Sequence, residues 1–221
     1  MEAIIIGGSG ATGAELLQLL LKDQAVNKVI ALVRKPLRYT HEKLEQAVVD
    51  FNNYSSWAHL VKGDVAFSCM GTTLKVAGSK EAQYQVDYHY QLAFARAAKE
   101  NHVPTFLLIS SSSANPRAMF FYARMKGELE QAVESMGFKS FIIFRPGPLI
   151  RPETDRKGEK IAEHVIRFFN SIGLFRGFRP LPVKELAYLM LHYASNPPSG
   201  QHVLESDKIL SEISFNELSD Q

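Results

Sequence analysis

Tyr122 and Lys126 stand four residues apart in the run Tyr122-Ala123-Arg124-Met125-Lys126, a spacing that puts a phenol and an ammonium on one face of a helix. An ammonium beside a phenol favours the phenolate and lowers its pKa. Such a pair can give a proton to, or take one from, a carbonyl oxygen near neutral pH. The spacing is not specific by itself, because Tyr39 and Lys43 repeat it. What sets the Tyr122 pair apart is the run Ile109-Ser110-Ser111-Ser112-Ser113, which places hydroxyls eleven or twelve residues upstream. One or two of these can fold back to hold a substrate oxygen, and the rest read as a turn capping the next helix. The Tyr39 copy lies beside the turn that follows the second strand and is read as coincidence.

A second chemistry is written near the start of the chain. Ile4-Ile5-Ile6-Gly7-Gly8-Ser9-Gly10-Ala11-Thr12-Gly13 runs directly into Ala14-Glu15-Leu16-Leu17-Gln18-Leu19-Leu20-Leu21. The glycines can be taken as G-x-G-x-x-G through Gly8, Gly10 and Gly13, or as G-x-x-G-x-x-G through Gly7, Gly10 and Gly13. Between a strand and a helix, such glycines give a tight turn, backbone approach to a pyrophosphate and close helix–sheet packing. The helix that begins there turns its unpaired N–H groups and positive dipole end toward the phosphates. Ser9, Ala11 and Thr12 are small enough to leave the approach open. About twenty residues on, where an NAD site commonly carries an acid for the ribose 2′-hydroxyl, the chain has Arg34 and Lys35. Two cations suit a 2′-phosphate, so the sequence favours NADP over NAD.

These residues need a scaffold that brings distant segments to one edge. Short apolar runs alternate with helix-period segments, the pattern of βαβ units around a parallel sheet. Strands are expected at Ala3–Gly7, Lys28–Val33, Gln46–Phe51, Val65–Cys69, Thr105–Ser110 and Lys139–Arg145, with helices at Ala11–Lys22, Lys80–Asn101 and Arg117–Met136. Several strands are apolar on both faces, as a sheet covered by helices on each side requires. The fold class is therefore α/β, a three-layer doubly wound parallel sheet, with a small C-terminal annex on the substrate side. One domain, 1–221, is expected, of which 146–221 form that annex. There Pro146, Pro148 and Pro152 precede a charged stretch, a helix at Lys160–Ser171, a helix at Lys184–Ser195 and a strand at Gln201–Glu205.

Composition narrows the classes. With 46% apolar and 22% charged residues, the chain is neither disordered nor collagen-like. A formal charge of +2 gives no ground for nucleic-acid or membrane binding. Cys69 is the single cysteine, which excludes an intrachain disulfide and suits a reducing compartment. With no His or Asp spacing to support a thiol mechanism, it reads as a packing residue. The seven histidines lack zinc spacing, so no metal is expected. The first apolar run stops at Gly7, too short for a signal-peptide core, and a cytoplasmic location is expected. Between Arg145 and Lys184 nine cations face four anions, a basic stretch that could meet a protein partner or simply be a solvated face. Phe168, Phe169, Phe175 and Phe178 in the same stretch read as core rather than as a substrate pocket.

The Gly7–Gly13 turn, Val49-Asp50-Phe51, Gly71-Thr72-Thr73, the Ser110–Ser113 run, Tyr122 with Lys126-Gly127-Glu128, and Phe144-Arg145-Pro146-Gly147 follow in a familiar order. From about residue 3 to 205 the chain resembles atypical short-chain dehydrogenases, more narrowly their Tat-interactive-protein-like branch. That resemblance implies a Rossmann-type domain binding NADP. It implies that Gly7, Ser9, Gly10, Ala11, Thr12 and Gly13 meet the pyrophosphate, and Arg34 and Lys35 the 2′-phosphate. Asp50 and Phe51 would lie at the adenine, and Cys69, Met70, Gly71 and Thr72 along the ribose. Tyr122 and Lys126 would reach the nicotinamide ribose and the reacting carbonyl of a small carbonyl or alcohol substrate; the serine that orients its oxygen maps most naturally to Ser111, with Ser110 and Ser112 one register away. The chain departs from the pattern at Val86-Asp87, where related dehydrogenases often carry Val-Asn to support a proton relay. Atypical members also imply an alternative, a nucleotide-binding regulatory or redox-sensing protein without significant turnover. Epimerase chemistry on a nucleotide sugar is disfavoured, because the chain is short for the substrate domain such enzymes carry.

Overall fold

A computed structural model describes residues 1–150 and 180–219. Nine strands are found among them: β1 (Glu2–Ile6), β2 (Lys28–Val33), β3 (Leu44–Val48), β4 (Val65–Ser68), β5 (Thr105–Ile109), β6 (Ser140–Phe144), β7 (Leu149–Ile150), β8 (Leu181–Pro182) and β9 (Gly200–Leu204). The helices are α1 (Ala11–Lys22), α2 (Tyr54–Trp57), α3 (Leu74–Ala77), α4 (Lys80–Tyr84), α5 (Tyr90–Glu100), α6 (Phe121–Glu134), α7 (Val183–Ser195) and α8 (Ser206–Ser219). Seven strands form one sheet in the order β3-β2-β1-β4-β5-β6-β9, and every pairing in it is parallel. The order reverses between β1 and β4, so a crevice opens at the carboxyl ends of those two strands.

Strand alternation divides the core. Ile5, Val29, Phe67, Leu107 and Ile142 face one side and pack on Leu16, Leu17 and Leu20 of α1 and on Leu186, Leu189 and Met190 of α7. Ile4, Ile6, Ala66, Phe106 and Ile143 face the other, against Phe94 and Ala98 of α5 and Leu129 and Val133 of α6. The two-faced burial expected of a doubly wound sheet is thus present in the central strands.

Three elements differ from the sequence expectation by more than one residue at an end, each for a local reason. The third strand runs over Leu44–Val48 rather than Gln46–Phe51, because Asp50 starts a turn: its Oδ1 accepts from the Asn52 N–H at 3.0 Å. The helix expected from Arg117 begins at Phe121, since Asn115 Oδ1 holds the Arg117 N–H at 2.9 Å in a preceding turn. The helix expected over Lys80–Asn101 is interrupted by a π turn at Gln85–His89. Helix α8 was not foreseen; its Ile209 and Ile213 join the α1–α7 side of the core.

In the C-terminal region, α7 and β9 complete a helical layer and the sheet itself. The expected helix at 160–171, the four phenylalanines and most of the basic stretch lie outside the described residues. Arg145, which is described, closes the end of β6 by pairing with the buried Glu130 of α6 (2.6 Å) and with Glu205 after β9 (2.7 Å). A neighbouring contact positions α6. A Cβ on Gly127 would fall 2.2 Å from the Pro116 backbone nitrogen, so α6 touches the Asn115–Pro116 turn directly. Gly127→Ala is expected to cost about 1–3 kcal/mol by overpacking, measured as a lower midpoint in urea unfolding.

Candidate active site

Because the sheet is parallel, the segments that leave β1, β2, β4, β5 and β6 emerge along one edge. After β1 the chain turns at Gly7, whose φ is +78° and where a Cβ would meet the Cys69 carbonyl carbon at 2.4 Å. The Gly10 N–H donates to the Gly7 carbonyl at 2.8 Å, and a Cβ on Gly13 would lie 2.2 Å from that same oxygen. Gly8 carries no such constraint: its Cβ would make ordinary contacts with Leu17 and Ile5 side chains. Of the two readings of the turn, the one through Gly7, Gly10 and Gly13 is therefore the one the backbone requires. Gly10 is also the N-cap of α1 and offers no side-chain cap, and the first turn carries no acid. The leading N–H groups and dipole of α1 face an open cradle made by small residues, a fit for an anionic group.

The other proposed contacts lie on the same edge with differing exposure. Arg34 and Lys35 follow β2 and are exposed, with no ion-pair partner among the described residues. Asp50 is exposed, whereas the Phe51 ring is buried 5.6 Å from Trp57 and 5.4 Å from Tyr90. After β4 the Cys69 N–H continues the ladder to Ile6 O at 3.1 Å, and burial pushes its thiol pKa up. Cys69 is therefore held as the neutral thiol, in keeping with a packing residue. Met70 packs on the α5–α6 side of the core, Gly71 is exposed, and the Thr72 N–H donates to Asp87 Oδ1 at 3.1 Å.

The serines after β5 sit in different surroundings. Ser110 Oγ is buried with no hydrogen-bond partner among the described residues, and the Ser112 N–H is used by Pro146 O at 3.1 Å. Ser111 Oγ lies 3.0 Å from Ser113 Oγ and acts on the Tyr122 phenol. Lys126 is buried on the same helix face. By contrast, Lys43 of the duplicate motif donates its ammonium to the Asp23 carbonyl at 2.8 Å.

The electrostatics differ from the expectation of a lowered phenol pKa. Burial holds the Tyr122 phenol above its ordinary value, the negative charge of Asp87 raises it further, and the Ser111 hydroxyl opposes both. Asp87, completely buried, is the neighbour whose importance the sequence reading missed. Its carboxyl is raised by burial and pulled back down by the Lys126 charge, the Thr72 N–H and the Gln83 side chain. The only sequence signal was the Asp in place of Asn. Among the described residues no group of three or more His, Cys, Asp or Glu is placed to hold a metal, and no helix is long and apolar enough to cross a membrane.

Comparison with known proteins agrees with this architecture. A family model described as NAD(P)H-binding matches residues 7–166. Protein HTATIP2 of Rattus norvegicus is 36% identical over 217 residues, covering 95% of this chain and 88% of its own. Protein FMP52, mitochondrial, of Saccharomyces cerevisiae is 35% identical over 161 residues, 71% of this chain and 69% of its own. Among solved structures, the Bordetella bronchiseptica enzyme WbmH in complex with NAD+ superposes with a TM-score of 0.71 at 18% identity, over 93% of this chain and 75% of that one. The last likeness establishes the fold. With the two relatives and the family match, the chain belongs to the NAD(P)H-binding atypical short-chain dehydrogenases/reductases, in the Tat-interactive-protein-like branch.

Proposed function

We propose that this protein is an NADP(H)-dependent oxidoreductase that reduces a small carbonyl substrate to the alcohol. The observation that carries the reading is a convergence at one sheet edge. The open glycine cradle of α1 lies at the carboxyl end of β1, and a protonated Tyr122 with Ser111 and Lys126 gathers beyond the end of β5.

Gly7, Ser9, Gly10, Ala11, Thr12 and Gly13 would hold the pyrophosphate, and Arg34 and Lys35 the 2′-phosphate. Asp50 and the Phe51 backbone would border the adenine, and Cys69 to Thr72 the ribose. When bound, the dinucleotide supplies the hydride. Ser111 orients the substrate oxygen, Tyr122 donates its proton to that oxygen as the alcohol forms, and Lys126 holds the nicotinamide ribose. The raised phenol pKa keeps the donor protonated at neutral pH, which suits reduction rather than oxidation.

The test is NADPH oxidation across a panel of aldehydes, ketones and quinones, with Tyr122→Phe as control. Tight NADPH binding with no turnover on any of them would replace this reading with a regulatory one. Cofactor choice has its own test. Arg34→Glu is expected to weaken NADPH about 10- to 100-fold while changing NADH less than about threefold, because only NADPH carries the 2′-phosphate. Equal losses in fluorescence titrations with the two dinucleotides would remove Arg34 from the assignment.

A further inference from the structure

Parallel neighbours in a sheet are usually joined by a crossover helix, but the connection from β2 to β3 has none. Residues 34–43 run back along the sheet as irregular chain. A segment without helix or ladder must find partners for its backbone elsewhere. Near its middle, one side chain supplies two of them. Gln46, half-buried in β3 opposite Ala31, accepts the Leu37 N–H at Oε1 (2.7 Å) and donates from Nε2 to the Tyr39 carbonyl at 2.8 Å. The Leu37 and Tyr39 side chains pack on the α1–α7 side of the core. At the far end the Lys43 carbonyl accepts the Val29 N–H at 2.8 Å, and its ammonium donates to the Asp23 carbonyl at the same distance.

Arg34 and Lys35 lie between two of these fixed points. Upstream, the Val33 carbonyl accepts the Val49 N–H at 2.9 Å, which holds the exit of β2 against β3. Downstream, Gln46 holds Leu37. Arg34, Lys35 and Pro36 are the whole span between them, and all three are exposed. Pro36 fixes its own φ and disfavours helical backbone at Lys35. With no ion pair among the described residues to orient either cation, the two ends of the span set where their charges stand. The chemistry of the anchor also matters. An amide offers a donor and an acceptor together and carries no charge. A carboxylate in its place would repel the Tyr39 carbonyl and put an anion beside the two cations.

We propose that Gln46 is a positioning residue for cofactor choice: its amide pins the Leu37–Tyr39 backbone to β3 and so fixes where Arg34 and Lys35 present their charges to the 2′-phosphate of NADPH. The inference rests on the assignment of those two cations proposed above. A span tethered at both ends loses less freedom when its cations grip a phosphate, and that preorganisation appears as affinity. NADH, which lacks the 2′-phosphate, gains nothing from it.

NADPH and NADH are titrated by fluorescence against the wild type, Gln46→Met, an Arg34→Ala/Lys35→Ala variant and the combination of all three substitutions. Methionine keeps the length of the side chain and removes both hydrogen bonds. Gln46→Met is expected to weaken NADPH about three- to tenfold and NADH less than about twofold. Without the two cations, the same substitution should change NADPH less than about twofold, because the effect acts through them. Amide hydrogen exchange at Leu37 in the free protein should quicken at least about tenfold in Gln46→Met. Should Gln46→Met not fold, Gln46→Asn, a methylene too short to hold both groups, takes its place. Parallel losses of NADPH and NADH in Gln46→Met, an equal effect with and without the cations, or unchanged Leu37 exchange would each overturn the role of Gln46. Equal losses of the two dinucleotides in Arg34→Ala/Lys35→Ala would instead sink the 2′-phosphate assignment, and this inference with it.

Discussion

Tyr122→Phe is expected to lower kcat for carbonyl reduction about 10²- to 10⁴-fold, the usual contribution of a positioned proton donor, while NADPH affinity stays within about threefold. Phenylalanine keeps the ring that fills space on α6 and deletes the one atom able to protonate the product oxygen. Direction matters for the pH dependence. Reduction consumes a proton, so the active form is the phenol, and burial together with Asp87 keeps it a phenol well above neutral pH. The reduction rate of the wild type should therefore show no alkaline loss from Tyr122 between about pH 6 and 9. The reverse reaction, which needs the phenolate, should rise with pH over the same range. A Tyr122→Phe protein that retains more than about a tenth of the wild-type kcat would place the proton donor elsewhere, with the Ser111 hydroxyl the next to examine.

Gly13→Ala should abolish dinucleotide binding for practical purposes, with a loss of at least about 100-fold, or about 2.7 kcal/mol. The added methyl would sit 2.2 Å from the Gly7 carbonyl oxygen and 2.9 Å from its carbon. Both atoms are backbone, so α1 must back away from the turn. That movement withdraws its N–H groups from the phosphate seat. Thermal unfolding should also fall by several degrees, from an overpacking cost of about 1–3 kcal/mol. Gly8→Ala is the control. Its methyl would meet only the Leu17 and Ile5 side chains, at 3.4 and 3.8 Å, and it should bind NADPH nearly as the parent does. If the two variants bound equally well, the cradle would not be the pyrophosphate site.

Much of this is legible in the sequence, because its causes are local. A strand buried on both faces must be apolar throughout, and a glycine turn between strand and helix has few other uses, so Ile4–Gly13 fixed the start of the fold. The order of the motifs then placed the candidate site at the carboxyl edge. What was hidden depends on contacts between distant segments. Asp87 looks like any acid on a helix until Thr72 and Lys126, fifteen residues before it and on another helix, turn out to be its partners. Burial, with the charge of Asp87 adding to it, reverses the expected direction of the Tyr122 shift. In the same way, Phe51 could not be told from an exposed adenine contact until Trp57 and Tyr90 were seen to enclose its ring. The π turn leaves no trace in the hydrophobic pattern, since the face it serves is polar.

The open position of Arg34 and Lys35 has an evolutionary consequence. Both side chains stand in solvent beyond the end of β2 and no described residue depends on them for an ion pair. Substitutions there touch no core contact, and surface changes of this kind are usually near-neutral for stability. The glycine turn allows no such freedom, with backbone pressed on backbone at Gly7 and Gly13. On the proposed assignment of Arg34 and Lys35 to the 2′-phosphate, descendants of this sequence would exchange one nicotinamide dinucleotide for the other by drift at a surface turn, while the glycine turn itself stays locked to the fold.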